Sequence, residues 1–224
     1  MAPLPYDSDT LTLSIPLGEY EAPSILFLFG KKAIDVVGAV IGLLVIAPFV
    51  PFIAFAISFD SRGPVFVKIP RVSAGQFVGV YKFRSMIYNA PTLKPLLMPF
   101  NERNDGPFFK MRHDPRVTRV GRVLRKFRLD EFPQLWNVLR GELSLVGPRP
   151  YGPDEVSQYP YSYQHLILAK AGVTGLSQVN GSSSLSFLEV LEFDDYYVKN
   201  PSLLFDFKII GKTIKIIFTD PTAV

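Results

Sequence analysis

AIDVVGAVIGLLVIAPFVPFIAFAISF, residues Ala33 to Phe59, is the stretch on which the fold turns. Asp35 is its only charge, and the run is nominally long enough to cross a bilayer as a helix. Two features oppose a straight span. Pro48 and Pro51 fall near the middle, where each removes a backbone donor and crowds the preceding turn, and Pro48 should push Ala47 out of helical geometry. The half before the break is about 22 Å long as a helix, short of a hydrocarbon core about 30 Å thick. Both flanks are basic, with Lys31 and Lys32 before the run and Arg62, Lys68 and Arg71 after it. Positive charge favours the cytoplasmic side, so both ends are expected there. A helix, break and helix that enters one leaflet and returns meets these conditions together; a kinked full span and a buried core helix are the alternatives. A re-entrant pair needs internal partners for the carbonyls freed at the break.

Around this run the chain of 224 residues is large enough for one globular domain with an appendage. Hydrophobic residues make up 48% and the mean hydropathy is +0.21, which suits contact with lipid. The net charge of +4 favours an anionic surface or a phosphorylated substrate. With no cysteine there is no disulfide or thiolate metal site, and His113 and His165 alone do not make a zinc centre. A hard cation on carboxylates stays open. Residues 1–24 carry Asp7, Asp9, Glu19, Glu21 and four prolines without Lys or Arg, so they lack the basic start of a signal peptide and read as a disordered tail. Residues 25–61 are then expected to form the re-entrant membrane region and 62–224 a domain on the cytoplasmic face.

After the apolar run, PVFVKI and FVGVYKFR read as strands of a hairpin turning at Ser73-Ala74-Gly75. Residues 87–115 read as loop with a short helix, and DGPFFK (Asp105–Lys110) as a turn into a strand. Arg116, Arg119, Arg122, Arg125 and Arg128 recur every third residue. On a helix such a stripe drifts around the axis, so most of it reads as a solvated or headgroup-facing basic surface. Arg125 and Arg128, nearest the following acids, are the candidates for binding phosphate.

Those acids are Asp130 and Glu131, at the expected start of a helix whose apolar positions Phe132, Leu135, Trp136 and Leu139 share a face and which Gly141 stops. A helix start attracts phosphate through its free N–H groups. The plainer alternative makes Asp130 an N-cap and Glu131 a first-turn acid. Pro148 and Pro150 bracket Arg149 in a rigid loop, suited to aiming one guanidinium or to a structural turn. Ala171–Gly181 reads as strand or loop, and Leu185–Val198 as a helix. A last helix near Ser202–Phe218 carries Leu203, Phe207, Ile210, Ile214, Ile217 and Phe218 on a broad face, fitting a membrane surface or a core.

RKFRLDEFPQLWNVLRGELSLVGPRP (Arg125–Pro150) resembles the signature of the bacterial sugar transferases, the monotopic polyprenyl-phosphate phosphoglycosyl transferases. The likeness extends from about Lys32 to Ile217 through KKAIDVVGAVIGLLVIAPF, YKFRSM, DPRVTRVGRVLRK, AGVTGLSQVNG and FDFKIIGKTI, in that order. It implies an α+β, mostly helical monotopic protein on the cytoplasmic face of the bacterial inner membrane, with residues 62–224 as its catalytic domain. Its expected parts are a re-entrant helix broken at Ala47-Pro48, a short β-hairpin and amphipathic interfacial helices.

The implied activity moves a sugar 1-phosphate from a UDP-sugar to undecaprenyl phosphate with release of UMP, beginning the assembly of exopolysaccharide or a related glycan. By the same resemblance Asp130 is the nucleophile and the Mg²⁺ ligand, Glu131 assists, Arg125 binds phosphate and Arg149 supports the site. A carboxylate nucleophile divides the transfer into two displacements through an acyl phosphate. Membrane lipid is a further partner, a homodimer is allowed, and nucleic acid is not expected, since no recognition motif accompanies the charge. Ser177 and Ser182 stand where many members carry Trp and Arg, and Pro201 where they carry Trp. A membrane-bound scaffold of the same fold with impaired catalysis is the alternative function. The chain also resembles a short form of the larger members' catalytic part.

Overall fold

A computed structural model describes residues 24–181 and 184–219. The expected tail, apart from Ser24, and the departure at Ser182 lie outside the described residues.

The apolar run begins earlier than its sequence suggests. Helix α1 (Ile25–Ile46) is capped by the Ser24 hydroxyl, which accepts the Phe27 N–H. A 3₁₀ turn (Ala47–Phe49) joins it to α2 (Val50–Asp60). Ala47 keeps right-handed helical angles, contrary to the expectation from Pro48. The break is made by tightening instead of leaving helical space. Pro51 has no N–H to offer the Ala47 carbonyl, and the Val50 N–H takes that carbonyl in a 3₁₀ bond. This supplies one of the internal partners the break requires.

The run Ile25–Asp60 is long and apolar enough to cross a membrane, yet only 11% of its most apolar window is buried. That rules out the buried core helix. Leu26, Phe29, Val37, Leu44, Phe52, Phe55 and Phe59 stand largely exposed, and each would gain about 1.5–3 kcal/mol by leaving water.

One narrow stripe of α1 does face protein: Asp35, Ala39 and Ile46 are buried. Gly38 and Gly42 on the same stripe let Leu145 and Leu135 approach, where a Cβ at either glycine would collide with the leucine. Asp35 explains itself here. Its carboxylate accepts from the Ser144 hydroxyl at 2.8 and 2.9 Å and from the Leu145 N–H at 2.8 Å.

Strands β1 (Phe66–Ser73) and β2 (Gln76–Phe83) form the expected antiparallel hairpin. Ala74 and Gly75 both have positive φ, the geometry of a tight two-residue hairpin turn. The buried Arg84 leaves β2 and donates to the carbonyls of Ile57, Ser61, Arg62, Gly63 and Pro64, capping the end of α2. Helix α3 (Ala90–Leu97) is the short helix expected among residues 87–115. DGPFFK leads into no strand. The Asn101 side chain bonds the Phe108 carbonyl and the Lys110 N–H in place of a ladder, while the Phe108 ring packs on Tyr151 and Phe187.

The arginine stripe is shorter than its period suggests: α4 covers only Arg119–Lys126. Arg116 precedes it, buried in a bidentate pair with Asp114, and Arg128 follows it in left-handed conformation. A 3₁₀ turn (Leu129–Glu131) leads to α5 (Gln134–Leu139), six residues long. Its buried stripe is Gln134, Leu135, Asn137 and Val138, so Trp136, expected on the apolar face, is exposed. The polar Asn137 turns this face inward: it accepts the Tyr81 N–H and donates to the Gly79 carbonyl, bolting α5 to β2.

Strand β3 (Ser144–Val146) pairs in parallel with β4 (Gly172–Thr174), a second small sheet the sequence did not announce. Short α6 (Pro153–Val156) and α7 (Leu176–Val179) precede α8 (Phe187–Lys199), which starts in a Ser186–Glu189 capping box. The last helix, α9 (Leu203–Thr219), divides its faces. Asp206 and Ile209 are buried while Leu204, Phe207 and Ile214 are exposed. Asp206 receives Lys31 of α1 at 2.8 Å and the Tyr197 hydroxyl at 2.7 Å, joining the apolar arm to the C-terminal helices.

Candidate active site

The junction between α4 and α5 gathers the acids and most of the bases. Asp130 is buried, 8% exposed. It is no N-cap: α5 starts four residues later with no side-chain cap. Nor does a six-residue helix offer much of a dipole, so attraction for phosphate must come from side-chain cations. The Asp130 carboxylate takes no hydrogen bond from another described residue. Burial raises its pKa above the ordinary aspartate value; Glu131 adds to the rise, and Lys82 and Arg125 oppose it.

Glu131 is treated differently. Lys82, from β2, donates to its Oε1 at 2.6 Å. Against the desolvation that would raise it, the charges of Lys82, Arg149 and Arg128 hold its carboxyl down to about 2. The two neighbouring acids therefore differ sharply: Glu131 is neutralised by a fixed ion pair with Lys82, whereas Asp130 feels Lys82 and Arg125 only as charges and takes no hydrogen bond from another described residue.

Arg125 is oriented by its Nε bond to the Ser85 hydroxyl at 3.0 Å, and its charge acts on Asp130. Arg128 sits at φ +54 with its Nε buried and unpartnered. A non-glycine residue in this conformation beside a buried orphan donor is a strained arrangement of the kind found where ligands bind. Arg149 projects from the Gly147–Pro150 loop, which is pinned at both ends. Gly147 N–H donates to the Thr174 carbonyl and Gly172 N–H to Pro148, and the backbone of residues 170–172 lies where a Gly147 Cβ would go. Thus Arg125, Arg128, Asp130, Glu131 and Arg149 converge, while Ala47 and Pro48 lie apart on the apolar arm.

Lys82 was missed by sequence reasoning. One lysine in a strand carries no signal by itself; its pairing with Glu131 exists only because α5 docks on β2. A second omission is Asp194 on α8, 1% exposed, which accepts the Ser177 hydroxyl at 2.8 Å and is pushed up to about 7 by burial, with Ser177 and the Arg149 backbone amide opposing. Ser177, the departure from the family pattern, is thus buried and employed. Among the described residues no cluster of three His, Cys, Asp or Glu could hold a metal by itself.

Residues 26–220 match the family described as Bacterial sugar transferase. The chain is 39% identical over 193 residues to an undecaprenyl-phosphate galactose phosphotransferase of Salmonella typhimurium, covering 84% of this chain and 40% of that protein. It is 37% identical over 206 residues to a UDP-N-acetylgalactosamine-undecaprenyl-phosphate N-acetylgalactosaminephosphotransferase of Aeromonas hydrophila, covering 88% of this chain and 45% of that protein. The exopolysaccharide production protein ExoY of Sinorhizobium fredii is 37% identical over 191 residues, 82% of this chain and 83% of ExoY. The chain thus spans less than half of the first two relatives and most of the third. It belongs to the bacterial sugar transferase family.

Proposed function

We propose that the protein transfers a sugar 1-phosphate from a UDP-sugar to undecaprenyl phosphate at a membrane surface, with Asp130 as nucleophile. The observation that carries this is the contrast within the acid pair: a buried Asp130 that takes no hydrogen bond from another described residue, beside a Glu131 already neutralised by Lys82. The names of the relatives supply the lipid acceptor and the sugar nucleotide class.

An Asp130 oxygen attacks the phosphorus that bears the sugar. The bond from that phosphorus to the nucleotide's bridging oxygen breaks, and UMP leaves with the electron pair. The acyl phosphate holds the sugar until a lipid phosphate oxygen attacks the same phosphorus and releases the Asp130 carboxylate. Arg125, Arg128, Lys82 and Arg149 supply positive charge where the equatorial oxygens gain negative charge. Glu131 fixes Lys82 in that ring.

The residues fit Mg²⁺. A cation that keeps several waters and takes substrate phosphates needs only one or two protein carboxylates, and no other described residue hydrogen-bonds the Asp130 carboxylate. When bound, Mg²⁺ would neutralise charge on the transferring phosphate.

The exposed apolar flanks of α1 and α2 support insertion in a bilayer, and the basic residues at both ends favour a re-entrant path on the cytoplasmic face. Since the chain lacks cysteine, single cysteines placed at Ser24 and Ser61 report the topology by labelling in sealed vesicles. Labelling of both from one side is expected; labelling from opposite sides would mean a full span.

The test of function is UMP release by purified protein with Mg²⁺, undecaprenyl phosphate and UDP-galactose, UDP-glucose or UDP-N-acetylgalactosamine. Release that depends on one of these donors is expected. Silence with all of them would leave the scaffold as the better account.

A further inference from the structure

We infer that Arg71 is an additional binding residue for the diphosphate of the water-soluble nucleotide donor, acting with Arg149 across the mouth of the site. This rests on the phosphotransferase reading above and adds a residue from the β-hairpin to it.

In the hairpin register Arg71 lies opposite Val78, Ile69 opposite Val80 and Val67 opposite Lys82. Directly paired residues and those two apart share a face, so Arg71 and Lys82 project from the same side, the side that packs on α5 through the buried Val80. Lys82 reaches Glu131. The charge of Arg71 interacts with Glu155, Arg149 and Glu131.

The Arg71 side chain is 29% exposed, and its nearest acid, Glu155 Oε2, is 4.0 Å from Nη1. That oxygen already accepts the Gly152 N–H at 2.6 Å. No other described residue hydrogen-bonds the Arg71 guanidinium, which leaves five donors in a planar fork unused. A Cβ on Gly152 would press against Nη1, so the glycine three residues after Arg149 makes room for the group. Two guanidiniums set near each other with one of them lacking a tight counter-ion suit an oxyanion held bidentately.

Position along the hairpin selects the ligand. Phe66 and Phe83 lie at its base, where Phe83 packs with Ile57 of the apolar arm, whereas Arg71 is two residues from the turn. Arg71 is therefore on the side away from the arm, nearer the soluble donor than the phosphate of a membrane-held lipid.

The experiment measures UDP binding by calorimetry to the full chain in lipid nanodiscs, with UMP release and the KM for undecaprenyl phosphate measured in parallel. Arg71→Ala is expected to weaken UDP by about tenfold or more, with the lipid KM unchanged. Arg71→Lys should recover only part, since an ammonium does not reproduce the fork. Unaltered UDP affinity in Arg71→Ala, or a loss confined to the lipid acceptor, overturns the inference while wild-type UMP release leaves the phosphotransferase reading standing. If Arg71→Ala does not fold, a folded Arg71→Lys with full UDP affinity overturns it equally. A wild type that neither binds UDP nor releases UMP overturns both.

Discussion

Two regions of this protein each bury an aspartate, and they handle it in opposite ways. On the arm, Asp35 interrupts an apolar helix, but the Ser144 hydroxyl and the Leu145 N–H meet its oxygens. At the α4–α5 junction Asp130 is as deeply buried, but no other described residue gives its carboxylate a hydrogen bond, and the charges of Lys82 and Arg125 oppose its desolvation. The Asp35 oxygens are fixed by neighbours, whereas Asp130 is held by charge at a distance and its pKa stays raised by burial, which leaves it open to a ligand. Burial alone does not separate a structural acid from a reactive one. The state of its hydrogen bonds does.

The comparison breaks first at Asp130. Asp130→Asn keeps the shape and removes the nucleophilic charge, so UMP release should fall by at least about a thousandfold. Membrane retention and the thermal midpoint should hold or rise slightly, because a carboxylate whose burial raises its pKa despite Lys82 and Arg125 is replaced by a neutral amide. A variant that kept near-normal turnover would end the nucleophile assignment.

Lys82→Met sharpens the contrast between Asp130 and Glu131. Lys82 lowers the pKa of both acids, and Asp130 already lies above the ordinary aspartate value of 3.8. The ionised nucleophile is lost as pH falls through that raised value. Removing the cation should move the acidic limb of kcat/KM to higher pH and lower the plateau by about 10- to 100-fold. A limb that stays in place would mean that Lys82 does not act on the reacting acid.

On the arm the expected effect is on stability. Asp35→Ala leaves the Ser144 hydroxyl and the Leu145 N–H without their acceptor, at a cost of about 2 kcal/mol, read as a lower midpoint in detergent. Turnover per folded molecule should be nearly unchanged. If turnover collapsed with the fold intact, Asp35 would belong with Asp130.

The two regions also differ in how far the sequence disclosed them. The apolar arm was legible because hydropathy and proline act locally: the α-helix tightens into a 3₁₀ turn at Ala47–Phe49, at Pro48 and just before Pro51. What local rules missed was that a 3₁₀ bond from Val50 lets Ala47 stay helical. The hairpin followed from alternation and a turn pair, whereas the parallel β3–β4 pairing joins segments too short to show a period. At the site, the acids and arginines were legible as residue types. Their division of labour was not, since Lys82 meets Glu131 only through the docking of α5, and Trp136 faces outward because Asn137 commits that helix face to β2.

Asp194 lies between the two extremes and gives the smallest expected effect. It is buried like Asp130, yet it holds the Ser177 hydroxyl, and burial pushes it up to about 7 against that bond and the Arg149 backbone amide. Its folded pKa therefore lies above the unfolded value near 3.8. A carboxyl shifted in this direction stabilises the fold fully below the unfolded value, and the contribution is lost as pH rises through about 7. Asp194→Asn cannot ionise and should be free of that loss. Thermal midpoints from about pH 5 to 8 should show the wild type declining relative to the variant. Because the Asp194 charge bears on the loop that aims Arg149, the same pH range should weaken UDP binding more in wild type than in Asp194→Asn. Parallel curves in both measurements would place Asp194 with Asp35, as an acid whose partners fully answer its charge.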